Sequence, residues 1–408
     1  MPKAQKYLAF AVAGLVVLFL GGLALFRFYF GSKAVSQQNS TLNGITAKGQ
    51  VVATPGAGKY YHGVFPGGEF AEEDQIKKEE LASYQEAVGK KAVWVYFTHN
   101  WFKGKPFPVK TASWIRDNGS VPFIRLMLRS SEEQNVKEPK YTLARIIRGD
   151  FDKDLRAWAR GAKTFGTPLL AEFGTEVNGE WFAWNGKWNG GGAKLGYGDK
   201  KQFDGPERFK DAYRRIIRLS REEGASNILW AFHINSDDVP NTAWNKFENY
   251  YPGDKWIDWL GVSIYGAGTP MAEAETMREM MDAVYPRLAK LSKTKPVVIL
   301  ELGFTNGHPA VKQEDWAKDA LTELFFGRWP RVIGFAWWNE SWENDDDPAH
   351  NSVLRVQNNP ALAAVFKKML GENENVLGEP FYRSLIKKVN ENIKPETSTK
   401  NPKPAPAS

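Results

Sequence analysis

Residues 296–304 read Pro296-Val-Val-Ile-Leu-Glu-Leu-Gly-Phe304, a short apolar run opened by proline and carrying one carboxylate. Apolar runs of this length without polar alternation fit strands covered on both faces, as in a parallel sheet. Burying Glu301 ionised and unpartnered inside such a strand would cost several kcal/mol, so it belongs where the strand opens to solvent or to a partner.

The same rhythm extends in both directions. Runs at Tyr60–Pro66, Ala92–Thr98, Val121–Leu128, Pro168–Glu176, Asn227–Asn235, Trp256–Tyr265 and Val332–Asn339 complete a set of eight with 296–304. Between them lie longer amphipathic stretches. Asp74–Val88, Glu207–Glu223, Ala272–Leu291 and Gln313–Phe326 each place apolar residues at helical spacing, and Pro360–Leu370 closes the series. The fifth crossover, Trp244–Asp254, holds a short helix at most. Eight such units predict an α/β fold, the closed (β/α)8 TIM barrel, with its chemistry at the C-terminal strand ends. An open doubly wound sheet would carry a Gly-rich phosphate turn after its first strand. Here that turn reads Phe65-Pro-Gly-Gly-Glu-Phe70, which lacks the pattern.

Composition narrows the function. The chain has 408 residues, 42% hydrophobic, with a formal net charge of +7 and 16 tryptophans. Its basic residues alternate with acidic ones and form no block, so nucleic acid is not the expected partner. Cysteine is absent, which excludes disulfides and thiolate chemistry. No HExxH or HxH spacing offers a metal site, and neither metal nor organic cofactor is expected. A monomer is expected.

The ends differ from the middle. Lys3 and Lys6 precede an apolar run, 7–26, closed by Arg27. About 20 apolar residues suffice to cross a bilayer, more than the 7–15 of a signal-peptide core. We therefore expect a membrane signal anchor over residues 1–30, with the globular part outside the cytoplasm, or secreted if the segment is cleaved. A polar tether follows over 31–58, then the barrel over 59–371, then a C-terminal extension and tail over 372–408.

The candidate site sits at the strand ends. Strand four leads into Glu176-Val-Asn-Gly-Glu-Trp-Phe-Ala-Trp184, which combines a carboxylate with Asn178, Trp181 and Trp184. Strand three carries Arg125, strand five His233, strand six ends at Tyr265, and strand eight ends in Trp337-Trp338-Asn-Glu340. Indoles stack on sugar rings, while paired carboxyls on facing strands suit retaining glycoside hydrolysis, in which they stand about 5–5.5 Å apart. Trp181 and Trp184 would partly desolvate Glu176. Arg125 and Tyr265 would hold Glu301 ionised.

These elements resemble glycoside hydrolase family 26, the β-mannanase family of a retaining clan of (β/α)8 barrels. The resemblance rests on Glu176-Val-Asn-Gly179, Trp181-Phe-Ala-Trp184, Lys295-Pro-Val-Val-Ile-Leu-Glu-Leu-Gly303 and Tyr61-His-Gly-Val-Phe-Pro-Gly67, across about residues 60–370. It implies Glu176 as acid/base, Glu301 as nucleophile, Tyr265 as the nucleophile's hydrogen-bond donor, and Trp337 or Trp338 beneath the sugar. Its implied substrate is a β-linked polysaccharide of mannan type. Family members usually carry His before the acid/base, where this chain has Thr175. A different β-glycan, such as a self-produced exopolysaccharide, and a non-catalytic polysaccharide-binding or export-accessory role are the alternatives.

Several residues compete for attention. Glu172 shares parity with Glu176 but lies deeper, as a buried ion pair would. Glu340 is the rival nucleophile, and Asp237 and Asp238 close strand five. His62 and His99 read as hydrogen-bonding residues. The run Glu343–Pro348 reads as a solvated acidic loop, without the spaced ligands of a calcium loop. The segment 185–192 reads as a mobile loop with Trp188 as a stacking platform.

Overall fold

The computed structural model describes residues 49–70 and 75–384. Eight parallel strands form the sheet: β1 Tyr60–Phe65, β2 Trp94–Asn100, β3 Val121–Met127, β4 Leu169–Phe173, β5 Ile228–Asn235, β6 Trp259–Tyr265, β7 Val297–Gly303 and β8 Val332–Trp338. Each pairs with the next, and β8 returns to β1 with Val64 opposite Trp337, so the sheet closes into a barrel. The crossovers carry α1 Lys78–Val88, α2 Val109–Asp117, α3 Leu143–Arg148, α4 Asp152–Phe165, α5 Asp204–Glu222, α6 Met277–Leu291, α7 Gln313–Phe325 and α8 Pro360–Phe366. As its sequence implied, the fifth crossover holds only two short 3-10 turns, Ala243–Asn245 and Phe247–Tyr250.

The helices form for local reasons. Helix α4 buries Leu155, Trp158, Ala159 and Ala162, spaced three and four residues apart along one face. In α6 the Thr276 side chain accepts from the Glu279 amide while the Glu279 carboxylate reaches back to the Thr276 backbone, satisfying two orphan donors. These faces pack on the outward residues of the barrel strands, and the inward residues make a second core. Tyr61, Phe65, Trp94, Tyr96, Phe123, Val298, Leu300 and Trp338 belong to that inner cluster.

The described segments that flank the barrel pair with it and with each other. Gln50–Val52 pairs antiparallel with Tyr382–Ser384, and Val376–Leu377 adds in parallel beside β1. Val51 and Val52 are buried against the inner cluster, and the Tyr61 hydroxyl donates to the Ala53 carbonyl. The last residues of the expected tether thus close the barrel end where the strands begin. The apolar run 7–26 lies outside the described residues, as does the tail from residue 385. Among the described residues, no helix is long and apolar enough to cross a membrane.

Candidate active site

Two local departures from regular strand geometry aim the carboxylates. Strand β4 stops at Phe173, short of the Glu176 limit read from the sequence, because Gly174 (φ 78°) and then Glu176 (φ 47°) turn left-handed. A Cβ at Gly174 would lie 2.2 Å from the Phe209 ring, so both φ and packing require glycine there. Holding Glu176 in this region costs on the order of 1 kcal/mol or more, strain of a kind that concentrates at functional sites. In β7 the register against β6 slips: Val262 pairs with Ile299, but Ser263 pairs with Glu301. The extra residue lets Leu300 join the inner cluster while the next residue, Glu301, lines the cleft.

The cleft at the mouth has a volume of about 650 Å³ and brings together Arg125, Glu176, Trp181, Tyr265, Glu301 and Trp338. Glu301 is held at both oxygens. The Tyr265 hydroxyl donates to Oε2 at 2.9 Å, and Arg125 Nη2 lies 3.2 Å from Oε1. Glu176 accepts from the Trp181 indole N–H at 2.9 Å. The Asn-Gly turn explains how: a Cβ at Gly179 would lie 2.2 Å from the Trp181 ring, so only glycine leaves room for the indole.

Beneath the cleft lies a buried charged layer. Glu172, fully buried, accepts from Tyr96 and Thr175 and pairs with His233 Nδ1 at 2.9 Å. Burial alone would push its carboxyl up, but the charge and hydrogen bond of His233, then Arg125 and Thr175, bring it below the ordinary value. Burial likewise opposes the charge on His233, and Glu172, with Glu301 and Glu176, outweighs it to raise the imidazole. Its Nε2 contacts Ser263 Oγ at 2.9 Å. Thr175 Oγ1 accepts from Arg125 Nε at 2.9 Å, which ties the guanidinium to this layer. Arg125 is also surrounded by rings, 5.2 Å from the Trp338 centroid and 5.7 Å from that of Phe182. Burial pushes the Glu301 carboxyl up to about 7; Arg125 opposes this and the Glu176 charge adds to it.

Other sequence-derived candidates take different places. His233 has no exposed surface and lies in the layer below the cleft. Trp184 is buried, stacked on Phe182 at 4.5 Å, with its N–H donating to the Thr175 carbonyl. Asn178 joins two loops, donating to the Asn235 and Asp237 carbonyls and to Asp238. Between the paired tryptophans, Trp338 lies inward, stacked on Phe65 at 4.0 Å, while Trp337 packs edge-on against Phe366 on the helix side. Glu172 is the buried ion-pair member that its depth implied. Glu340 lines the cleft and accepts from Trp338 Nε1 at 3.0 Å. Asp238 is buried and salt-bridged to Arg287 at 2.8 Å. The segment 185–192 is tied down by Asn185 and Asn189, and Trp188 is absent from the cleft lining.

The cleft also contains residues that the sequence pattern did not single out: Asn100, Arg129, Phe182 and Trp342. Asn100 ends β2, and a search extended to every polar strand end would have found it. Arg129 lies two residues past β3, and Phe182 stood within the Trp181–Trp184 aromatic motif. Among the described residues, no three His, Cys, Asp or Glu side chains gather to hold a metal ion.

A glutamate in the turn after β4 and a glutamate on β7, on one aromatic cleft, suit glycoside hydrolysis, and residues 130–358 match the family model "Glycosyl hydrolase family 26". The chain belongs to glycosyl hydrolase family 26. This family 26 chain is 24% identical over 301 residues to Endoglucanase H of Acetivibrio thermocellus, covering 73% of its own length and 29% of the relative's. It is 22% identical over 178 residues to a mannan endo-1,4-beta-mannosidase of Bacillus subtilis, 43% of this chain and 40% of that protein. It thus spans less than half of either relative. Among solved structures, Bacillus subtilis mannanase man26 aligns with TM-score 0.51 at 17% identity, covering 76% of this chain and 86% of that one. A family 26 β-mannanase from Bacteroides ovatus aligns at 0.52 and 16%, covering 78% and 90%. At these identities the alignments support the shared fold.

Proposed function

We propose that this glycoside hydrolase cleaves a β-linked polysaccharide internally, with net retention, most nearly as an endo-β-1,4-mannanase. The observation that carries the reading is the grip on Glu301, whose two oxygens meet Tyr265 and Arg125 in the cleft that Glu176 also lines. In the first step a Glu301 oxygen attacks the anomeric carbon. The bond to the leaving oxygen breaks and Glu176 gives that oxygen its proton. In the second, Glu176 takes a proton from water. The resulting hydroxide attacks the anomeric carbon and the ester bond to Glu301 breaks.

The starting state needs one proton and one charge on the pair. Interacting carboxyls in one buried site titrate as a unit. Arg125, His233 and Tyr265 each favour the charge on Glu301, against the burial and the Glu176 charge that oppose it. Trp338 supports the sugar ring, and Trp181 positions Glu176. Thr175 takes no place in the cleft lining; its hydroxyl bridges Arg125 and Glu172. The two curated relatives, named as an endoglucanase and as a mannan endo-mannosidase, bracket the glycans to be assayed.

Reducing-end release from β-mannan, β-glucan and xylan tests the proposal. Cleavage of one of these with early fall in viscosity supports internal hydrolysis, and release of the β-anomer first, followed by proton NMR, supports retention. Measurable binding without release from any of them would replace it with the accessory reading. We further propose that residues 7–26 anchor the monomeric enzyme with its barrel outside the cytoplasm, so that full-length protein resists carbonate extraction of membranes. A mature N-terminus mapped beyond residue 30 would exclude the anchor.

A further inference from the structure

Thr175 stands between the two carboxylates of the cleft, joined to one through the chain and to the other through its side chain. It precedes Glu176 in the turn after β4 and is fully buried. Both of its neighbours, Gly174 and Glu176, are left-handed, and its carbonyl accepts from the Trp184 indole N–H at 2.8 Å. The backbone that carries Glu176 is therefore pinned at Thr175. The hydroxyl has one proton to give and lone pairs to receive. Its proton goes to Glu172 Oε1, and a lone pair takes the Arg125 Nε–H at 2.9 Å.

That second bond has a geometric consequence. Arg125 Nε lies 3.9 Å from Glu172 Oε1, beyond hydrogen-bond reach, and the Thr175 hydroxyl spans the gap. Glu172 is itself held, since Tyr96 donates to it and His233 Nδ1 lies 2.9 Å from its other oxygen. His233 in turn meets Ser263 through Nε2 at 2.9 Å. The hydroxyl thus ties the guanidinium to a buried frame drawn from β2, β4, β5 and β6. At the far end of the same group, Nη2 faces Glu301 Oε1 at 3.2 Å. A guanidinium is planar and rigid, so an anchor at Nε sets where Nη2 points. Misplacing a catalytic group by about 1 Å costs up to about a hundredfold in rate.

We infer that Thr175 is a positioning residue for the nucleophile: its hydroxyl aims Arg125 at Glu301 and couples the turn that presents Glu176 to the grip on Glu301. The inference rests on the retaining-hydrolase reading and gives Thr175 a part in it without contact with substrate, as its place outside the cleft lining requires. The charged and titratable groups packed about Glu301 and Arg125 are Tyr96, Glu172, Glu176, His233 and Tyr265, with Glu340 on the same cleft. Thr175 reaches this set by hydrogen bonds to Arg125 and Glu172.

The test compares, in the full chain, Thr175→Val, which keeps the shape and removes the hydroxyl, with Thr175→Ser, which keeps the hydroxyl. Thr175→Val should lower kcat/KM about fivefold at pH 6 and less than about twofold at pH 8, because a poorly aimed Arg125 leaves Glu301 protonated to higher pH. Thr175→Ser should stay within about twofold of the parent at both values. In an Arg125→Lys background, where the Nε–H is gone, Thr175→Val should move the acid limb no further. Should the valine variant not fold, Thr175→Cys, whose thiol bonds only weakly, should show the same loss in smaller measure. The Glu301 carboxyl carbon, assigned by its disappearance in Glu301→Gln and followed by carbon NMR, should titrate at higher pH in Thr175→Val whether or not a glycan is cut. An acid limb and a carboxyl titration that stay in place while thermal stability falls, or losses that add to those of Arg125→Lys, would overturn the inference and leave the hydrolase reading intact. A displaced carboxyl titration in a protein whose unmutated form cleaves no glycan would uphold the positioning and overturn the hydrolase reading alone.

Discussion

Arg125 Nη2 lies 3.2 Å from Glu301 Oε1, and both side chains are almost fully buried. The arginine opposes the burial that raises Glu301 to about 7. Under the proposed mechanism Glu301 must be ionised to attack, so kcat/KM should fall as the pH drops through about 7. Arg125→Gln removes the opposing charge, so the acid limb should move to higher pH. Activity at pH 6 should then fall by up to about tenfold more than activity at pH 8. An unchanged limb would detach Arg125 from the ionisation of Glu301.

Stability should carry the same signature. In the unfolded chain Glu301 ionises around its ordinary 4.5, in the fold only around 7, so the unfolded state loses its proton first as pH rises. The contribution of this group to stability is therefore present below pH 4.5 and lost between 4.5 and 7, by about 3 kcal/mol in all. Urea unfolding of Glu301→Gln and the parent protein at pH 4 and pH 8 should show the variant relatively more stable at pH 8. The same stability difference at both values would count against a raised carboxyl.

The two tryptophans of the Trp181–Trp184 motif should separate cleanly. Trp181→Phe removes the donor to Glu176 Oε2 and should lower kcat about tenfold or more with little loss of stability. Trp184→Phe leaves the buried Thr175 carbonyl without its donor and should cost about 1–3 kcal/mol of stability while kcat holds. Thermal unfolding beside steady-state kinetics decides it, and reversed effects would misplace both side chains.

That contrast marks how far the sequence could be read. All eight strands were legible because each is a short apolar run bounded by turn residues, and closure followed from their number. The end of β4 was not, since the left-handed turn at Gly174 and Glu176 leaves no trace in periodicity. The inward aim of Glu301 depends on a register slip that an alternation pattern cannot express. His233 and Trp184 have the right chemistry for a sugar site and lie near it. Their burial is decided by neighbours that periodicity does not reveal, Glu172 and Ser263 of other strands in one case and Phe182 of the same loop in the other. Cleft residues from loops, such as Arg129 and Trp342, fall where hydrophobic pattern carries no signal.

The acid/base role proposed for Glu176 predicts selective damage. Glu176→Ala should retain turnover of aryl glycosides whose phenol departs unprotonated, while losing at least about a hundredfold on the polysaccharide. Azide should accelerate the variant and yield a glycosyl azide, because a small anion can attack the intermediate without base assistance. Equal loss on both substrates and no azide product would give the proton transfer to another residue.

The covalent intermediate itself offers the most direct measurement. A fluorosugar with an activated leaving group and the configuration of the cleaved glycan traps the glycosyl ester on the nucleophile, and peptide mass mapping locates it. Double displacement by this pair of glutamates predicts a single label on Glu301. A label on Glu340, which lines the same cleft, or on Glu176 would contradict it.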